Sequence, residues 1–409
     1  MIVLVVVFGP LDVSSGAPKM TVGLDSKVAI KLLISGIASL LGAYGLVTSA
    51  AVRQTMSTLP ALGISIILLL AGLATPIAIS NTSLPTTLIN FGTLLFVVTA
   101  LLTLKLHRVG LGILVGVAIT AFISLSLWYL LPAYGVFPEL LAGGLIVERL
   151  SGTAHPNAVG RAMVLGLVLS LYYYRMQTLP ILPAVCLAAM FALAAYLTLS
   201  RTSMVAGFAG LLVLYLDRIF TRTGVLVVSF MVVVGVGSLT LLYLAGTEDK
   251  LVGNVLSKVS KTGDAEEITS GTGRSEIWTK AISLIKNRPI IGHGFSAAPT
   301  LMIDHSQATH NSVLHATLTA GIVGGVMMLG LMLWCVYLAT ASDSLLIRCT
   351  AALVVIASLA EDAVLETFPG PITTMFLVCC IYPVIVRPKD QNKDVDDAPP
   401  NSLLARDTA

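Results

Sequence analysis

Residues 109–131 read VGLGILVGVAITAFISLSLWYLL, a run without a single charged side chain. The hydrocarbon core of a bilayer is about 30 Å thick and takes about 20 apolar residues of helix to cross. This stretch is long enough to do so, and it is one of many. Comparable apolar stretches lie at 28–50, 60–80, 84–106, 156–175, 178–200, 202–217, 223–246, 312–340, 345–361 and 370–386. Hydrophobic residues make up 56% of the chain and charged residues 11%, against about 25% charged in a soluble domain. The sequence therefore predicts an all-α fold, a polytopic transmembrane helical bundle. It has eleven spans, or twelve if the opening run MIVLVVVFGP crosses as well. No Lys or Arg precedes that run, so a short first span is expected rather than a signal peptide.

Orientation follows from the basic residues of the short connections, which collect on the cytoplasmic side. Arg53, Lys105 with Arg108, Arg175, Arg218 with Arg222, Arg348, and Arg387 with Lys389 and Lys393 fall on alternate connections. Placing these inside puts both termini in the cytoplasm when twelve spans are counted. The stretch LPAYGVFPELLAGGLIVERLSGTAHPN (131–157), the long segment 247–311 and EDAVLETFPGP (361–371) then face outward. The expected organisation is 1–246, N-terminal transmembrane helices; 247–311, an outward loop with a helix near 273–287; 312–386, C-terminal transmembrane helices; and 387–409, a disordered cytoplasmic tail. All five cysteines lie in apolar spans, where they behave as small hydrophobes. A net charge of +3 gives no reason to expect a nucleic-acid partner.

Charge in or beside a bilayer is expensive and marks function by default. Arg149 precedes a span, Arg161 lies one turn inside it, and Arg201 stands between two spans in LTLSRTSMV. Glu361, Asp362 and Glu366 flank another outward end. No acidic residue sits in the middle of a span, as a proton-coupled transporter usually requires. Arg161 also has the plain reading of a side chain snorkelling to the headgroups. Arg201 is harder to explain that way, because almost no loop joins its two spans and the threading places it outside.

Within the outward loop, GTGRSEIWTKAISLIKNRPIIGHGFS (271–296) reads as an amphipathic helix. Thr272 or Gly273 caps it, Ile277, Ala281 and Ile285 share a face, and Pro289 ends it. Arg274 falls in its first turn, where a cation opposes the helix dipole. That placement makes sense if Arg274 and the exposed amides bind an anion together. IIGHGFS lacks the Gly-Lys-Ser/Thr ending of a phosphate loop and reads as a turn. His305, His310 and His315, five residues apart, do not share a helix face, so neither metal nor other cofactor is expected.

THNSVLHATLTAGIVGG (309–325) sets His310 and Asn311 at the mouth of an apolar helix. They are either an interfacial cap or a proton-accepting group held at the membrane rim. The pattern His310-Asn311, nine residues, Gly321, two residues, Gly324 resembles the H-[NSQ]-x9-G-x-x-[GTY] motif of bacterial O-antigen ligases and related oligosaccharide ligases. SGTGRSEIWTKAISLIKNRPIIGHG, LSRTSMVAG and HPNAVGRA resemble further stretches of the O-antigen ligase/polymerase superfamily, over roughly 145–330. The resemblance implies a glycosyltransferase of the C type in the bacterial inner membrane, with its site at the outer leaflet. It implies a glycan donor carried on undecaprenyl diphosphate, and an acceptor that is lipid A-core for a ligase or another lipid-linked glycan for a polymerase. It places essential arginines at Arg201 and Arg274 and a proposed base at His310.

The chemistry agrees with that. Displacing a polyprenyl diphosphate creates a multiply charged anion, which needs either a divalent metal or fixed cations. Guanidinium groups bind phosphate bidentately and stay charged at any working pH. Arg201 and Arg274 are therefore expected to hold the diphosphate, with Arg149, Arg161 and Asn311 as further substrate contacts. An imidazole, with its ordinary pKa of about 6.5, can take the proton of an attacking hydroxyl. A single displacement inverts the anomeric centre. Gly321, Gly324 and Gly325 are expected to serve close helix packing, and the roles of His155 and Arg288 stay open. A polymerase of lipid-linked repeats is the alternative, and an exporter of lipid-linked sugars a more distant one.

Overall fold

In the computed structural model the described residues are 1–8, 26–74, 83–140, 146–216, 274–295, 297–302, 308–364 and 369–385. The apolar stretches become helices α1 (Ile2–Phe8), α2 (Ser26–Thr48), α3 (Ala50–Met56), α4 (Leu59–Leu73), α5 (Ser83–Thr103) and α6 (Leu106–Leu130). After a single turn, α7 (Pro132–Gly135), come strands β1 (Val136–Leu140) and β2 (Ile146–Leu150). Then follow α8 (Pro156–Arg175), α9 (Ile181–Leu197), α10 (Arg201–Tyr215), α11 (Arg274–Asn287) and α12 (Ala298–Leu301). The chain closes with α13 (Ser312–Ala341), α14 (Leu345–Ala360) and α15 (Pro371–Ile385). The expected span at 223–246, the cap at Thr272 or Gly273, His305, Glu366 and the tail lie outside the described residues.

Among the described residues, four helices are long and apolar enough by themselves to cross a membrane: Ile30–Thr48, Ser83–Thr103, Leu106–Leu130 and Ser312–Ala341. A fifth crossing arises if α3 and α4, bent by 72°, act together. α9, α10, α14 and α15 are apolar but shorter. Fifteen helical residues rise only about 22 Å, less than the hydrocarbon thickness. Leu33, Leu40, Val47, Leu69, Phe208 and Leu333 are exposed on the outside of the bundle, as a lipid-facing surface requires. α15 is the opposite case, with every residue from Pro371 to Tyr382 buried. α2 packs on α5, α10 on α14, α8 on α9, and α13 on α4.

Among the described residues the departure from an all-helical chain is the antiparallel pair of β1 and β2, which runs from Val136 opposite Leu150 to Leu140 opposite Ile146. Sequence reading left this segment as an outward loop, because its apolar runs are too short to register as spans. Pro138 is tolerated because a two-stranded sheet has only edges.

Two further features shape the site's surroundings. α11 lays Ile277 and Ala281 against Leu318 of α13 and Met302, so this amphipathic helix docks on the bundle. α13 is broken at Ala320 and Gly321, where the backbone leaves helical values and Gly321 takes φ 73° and ψ −175°. The turn after α11 fills the break: Ile322 N–H donates to the Pro289 carbonyl at 2.7 Å, His293 N–H to Leu318 at 2.8 Å and Gly294 N–H to Thr319 at 2.9 Å. A Cβ on Gly321 would collide with the Ile290 carbonyl oxygen. Gly321 is therefore needed for its backbone conformation and for a backbone-to-backbone approach, and the PIIGHG turn supplies hydrogen bonds that the broken helix lacks.

Candidate active site

The site is assembled at the end of the bundle where α8, α10, α11 and α13 begin and α14 stops. Its centre is Glu361, the residue just past α14, in extended backbone. Ser312 Oγ donates to the Glu361 carbonyl at 2.9 Å, and Asn311 Nδ2 donates to the Leu359 carbonyl at 2.9 Å. These bonds satisfy carbonyls that the end of α14 leaves without helical partners, and they fix the Glu361 backbone.

The Glu361 side chain is 2% exposed. Oε1 accepts from Asn157 Nδ2 at 3.0 Å, Arg274 Nη2 at 3.1 Å and Thr202 Oγ1 at 3.4 Å. Oε2 lies 2.8 Å from His310 Nδ1 and 3.4 Å from Arg161 Nη1. Burial pushes the carboxyl up, but the His310 hydrogen bond and the charges of Arg161 and Arg274 outweigh it. The net result holds Glu361 down to about 2. It is ionised at neutral pH. A buried carboxylate at a helix C-terminus is doubly unfavourable, and this convergence of cations and donors is what makes it tolerable.

His310 stands in the left-handed region at φ 51°, a conformation that costs a non-glycine residue about 1–2 kcal/mol. Its neighbours impose it. Trp278 Nε1 donates to the Thr309 carbonyl at 3.0 Å, Thr309 Oγ1 donates to the Asn311 carbonyl at 3.1 Å, and Asn311 Oδ1 caps α13 by accepting from Leu314 N–H at 2.9 Å. The sharp turn aims the imidazole at Glu361, and its side chain remains 19% exposed. Strain of this kind accumulates at functional positions.

The arginines divide by exposure. Arg149, on β2 and 3% exposed, donates Nε to the Thr198 carbonyl at 2.8 Å, Nη1 to Glu139 at 2.9 Å and Nη2 to Asn157 Oδ1 at 2.6 Å. It buttresses Asn157, which in turn holds Glu361. Arg161 is 6% exposed at its side chain, and Arg274 is 22% exposed. Arg201 opens α10 after the three-residue turn Thr198–Leu199–Ser200, in which Leu199 is also left-handed at φ 49°. The next residue, Thr202, reaches Glu361, which brings the start of α10 to the same carboxylate. Arg161 and Arg274 both pair with Glu361.

The structure thus brings His310, Arg274, Arg161 and the start of α10 to one carboxylate. Asn311 joins as a cap, and Arg149 stands one residue behind. Arg288 does not join them: it follows the far end of α11, about 20 Å along the helix from Arg274. His155 caps α8, accepting from Asn157 N–H at 3.3 Å. His293 bonds the Leu284 carbonyl at 3.0 Å, and His315 faces Asp362 at 3.9 Å. Among the described residues no three His, Cys, Asp or Glu side chains gather as metal ligands. Sequence reading noted Glu361 only as one of three acids at a span end, Asn157 only as part of a motif, and Thr202 not at all. Glu361 stands 204 residues from Asn157 and 87 from Arg274, so no local spacing could have linked them. The available signal was an isolated acid at the end of an apolar helix.

No curated protein and no solved structure matches the chain. Residues 185–329 match the family model described as O-antigen ligase. That stretch holds Arg201, Arg274, His310, Asn311 and Gly321, while Asn157, Arg161 and Glu361 lie outside it. The protein is thus a multi-pass membrane protein that over residues 185–329 is similar to the O-antigen ligase (Wzy_C) family, a family of enzymes acting on lipid-linked glycans.

Proposed function

We propose that the protein transfers a glycan from undecaprenyl diphosphate to a hydroxyl of lipid A-core or a similar acceptor. In this reading the site opens on the periplasmic face of the inner membrane, the reaction inverts the anomeric centre, and no metal takes part. The observation that carries it is the gathering of His310, Arg274 and the start of α10 around one ionised carboxylate.

In the reaction the acceptor oxygen attacks the anomeric carbon from the face opposite the diphosphate. A new carbon–oxygen bond forms as the bond to the diphosphate oxygen breaks, and that oxygen keeps the electron pair. The hydroxyl proton passes to His310 and is later released to water. Arg201 and Arg274 bind the diphosphate and stabilise the charge that develops on it. Arg274, the more exposed of the two arginines paired with Glu361, is the one that can turn toward a ligand, while Arg161 stays with the carboxylate. Arg149 and Asn311 support the substrate contacts by holding Asn157 and the start of α13.

The test is purified protein given the lipid-linked glycan, with and without lipid A-core. Transfer to lipid A-core that survives EDTA and is abolished in His310→Ala is expected. Chain growth on the lipid-linked glycan in the absence of lipid A-core makes the protein a polymerase instead. Loss of activity in EDTA with recovery on Mg²⁺ or Mn²⁺ overturns the metal-free reading.

A further inference from the structure

We infer that His155 contacts the sugar of a substrate, donating a hydrogen bond from Nε2 to a sugar hydroxyl while Phe137 packs beside it. The inference rests on the proposed glycan transfer and deepens it, by naming a residue that reads the glycan rather than the diphosphate.

The chain holds His155 firmly. The turn from β2 to α8 is tied to α6, with Ser124 Oγ and Thr153 Oγ1 2.9 Å apart and Thr153 N–H donating to Ser124 Oγ at 3.3 Å. Pro156 follows as the first residue of α8 and fixes the backbone on the other side. His155 Nδ1 accepts from Asn157 N–H at 3.3 Å as the cap of α8. A backbone N–H can only donate, so the hydrogen of the neutral ring sits on Nε2. The ring meets half-buried Phe137 of β1 edge to face, with centroids 5.3 Å apart. His155 itself is exposed. Asn157, whose N–H it accepts, bonds the Glu361 carboxylate at 3.0 Å. The imidazole therefore lies beside the site, where the charges of Glu361, Arg161 and His310 act on it.

A sugar carries hydroxyls around its edge and C–H groups on its faces. An N–H donor next to an aromatic ring matches both, whereas a diphosphate calls for charge. Charge is what His155 lacks. It is exposed yet closely surrounded by protein, as a group on the wall of a cleft is. Desolvation there, with the guanidinium of Arg149, holds the ring down to about 4, so it is neutral at pH 7. Guanidiniums bind an anion better than a neutral imidazole does. What the imidazole offers is a directional bond to an uncharged oxygen.

Three variants separate sugar contact from helix capping. His155→Asn keeps a capping acceptor for Asn157 N–H but removes Nε2–H. His155→Gln carries an amide N–H to the Nε2 position and loses the cap, and His155→Ala loses both. Each purified protein is given sugar-free undecaprenyl diphosphate, the same lipid carrying the glycan, and lipid A-core. His155→Asn is expected to keep the wild-type thermal midpoint and the wild-type Kd for the sugar-free lipid, and to lose about tenfold in kcat/KM for transfer. His155→Gln should transfer faster than His155→Ala. A raised donor KM, with a raised Kd for the glycan-bearing lipid, puts the contact on the donor sugar. A raised acceptor KM alone puts it on lipid A-core. His155→Asn transferring within about twofold of wild type overturns the inference, and so do equal rates in His155→Gln and His155→Ala. Weaker binding of the sugar-free lipid by His155→Asn overturns it as well, by making His155 a diphosphate contact. Wild-type protein that transfers nothing removes the proposed function. Equal binding of both glycolipids by wild type and His155→Asn then removes this inference separately.

Discussion

Arg274 Nη2 lies 3.1 Å from Glu361 Oε1, across 87 residues of sequence. Arg274 is the first residue of α11, where a cation opposes the helix dipole, and the Glu361 carboxylate is the anion that compensates. A polyprenyl diphosphate carries more negative charge and more acceptor oxygens than that single carboxylate. Arg274→Ala is therefore expected to lower kcat/KM for glycan transfer by 100-fold or more, about 2.7 kcal/mol of transition-state stabilisation. Arg274→Lys should recover little of this, because an ammonium cannot reproduce the bidentate fork. Steady-state rates against lipid-linked donor check both, and full activity in Arg274→Lys would show that charge alone suffices.

Arg149 is expected to act on stability. Removing it leaves the Thr198 carbonyl and Asn157 Oδ1 without their Arg149 donor in a buried setting, a loss of about 1–3 kcal/mol for each orphaned acceptor. Arg149→Ala should lower the thermal midpoint of the detergent-solubilised protein. Arg149→Lys should rescue it poorly, since one ammonium cannot serve three acceptors held in different directions.

Gly321 and Gly330 lie on the same helix and respond oppositely to a methyl group. Gly321 has φ 73° and no room beside Ile290, whereas a Cβ at Gly330 would meet nothing within 4 Å. Gly321→Ala is expected to disrupt docking of the 289–294 turn and, with it, the position of α11 and Arg274. Gly330→Ala should be neutral or slightly stabilising, because alanine is the better helix former by about 1 kcal/mol. Unfolding midpoints of the two variants make the comparison, and equal midpoints would show that the break in α13 is dispensable.

The pH dependence of stability follows from Glu361. Its ordinary value is 4.5 and its folded value about 2, so between these the unfolded chain binds the extra proton. The stabilisation is present in full above 4.5 and is lost as pH falls toward 2, at up to about 1.4 kcal/mol per pH unit. Unfolding measured from pH 6 down to pH 3 should show that slope in wild type and a shallower one in Glu361→Gln. Parallel curves would mean that the carboxylate is not held ionised by its neighbours.

The helix positions were legible because the requirement behind them is local. A helix in lipid must satisfy its own backbone and cover it with apolar side chains, so α5 and α6 can be read residue by residue. The β1–β2 pairing was not, because its strands are five residues each and segments that short leave no hydropathy period to read. The site was half legible. His310, Arg201 and Arg274 stood out as charged or titratable groups in an apolar chain, with spacings that a motif records. Glu361 carries the same signal but looked like one acid among three, since nothing in its own segment distinguishes it from Asp362.

The sequence by itself determined the class of the protein, the course of its helices and the identity of the cations, because bilayer burial and charge are properties of single segments. Tertiary structure alone decided that helix starts more than a hundred residues apart meet at one carboxylate. It also decided that His310 turns its Nδ1 toward that carboxylate. Those are consequences of how α8, α10, α11, α13 and α14 pack, and packing between distant segments leaves no period in the chain from which it can be read.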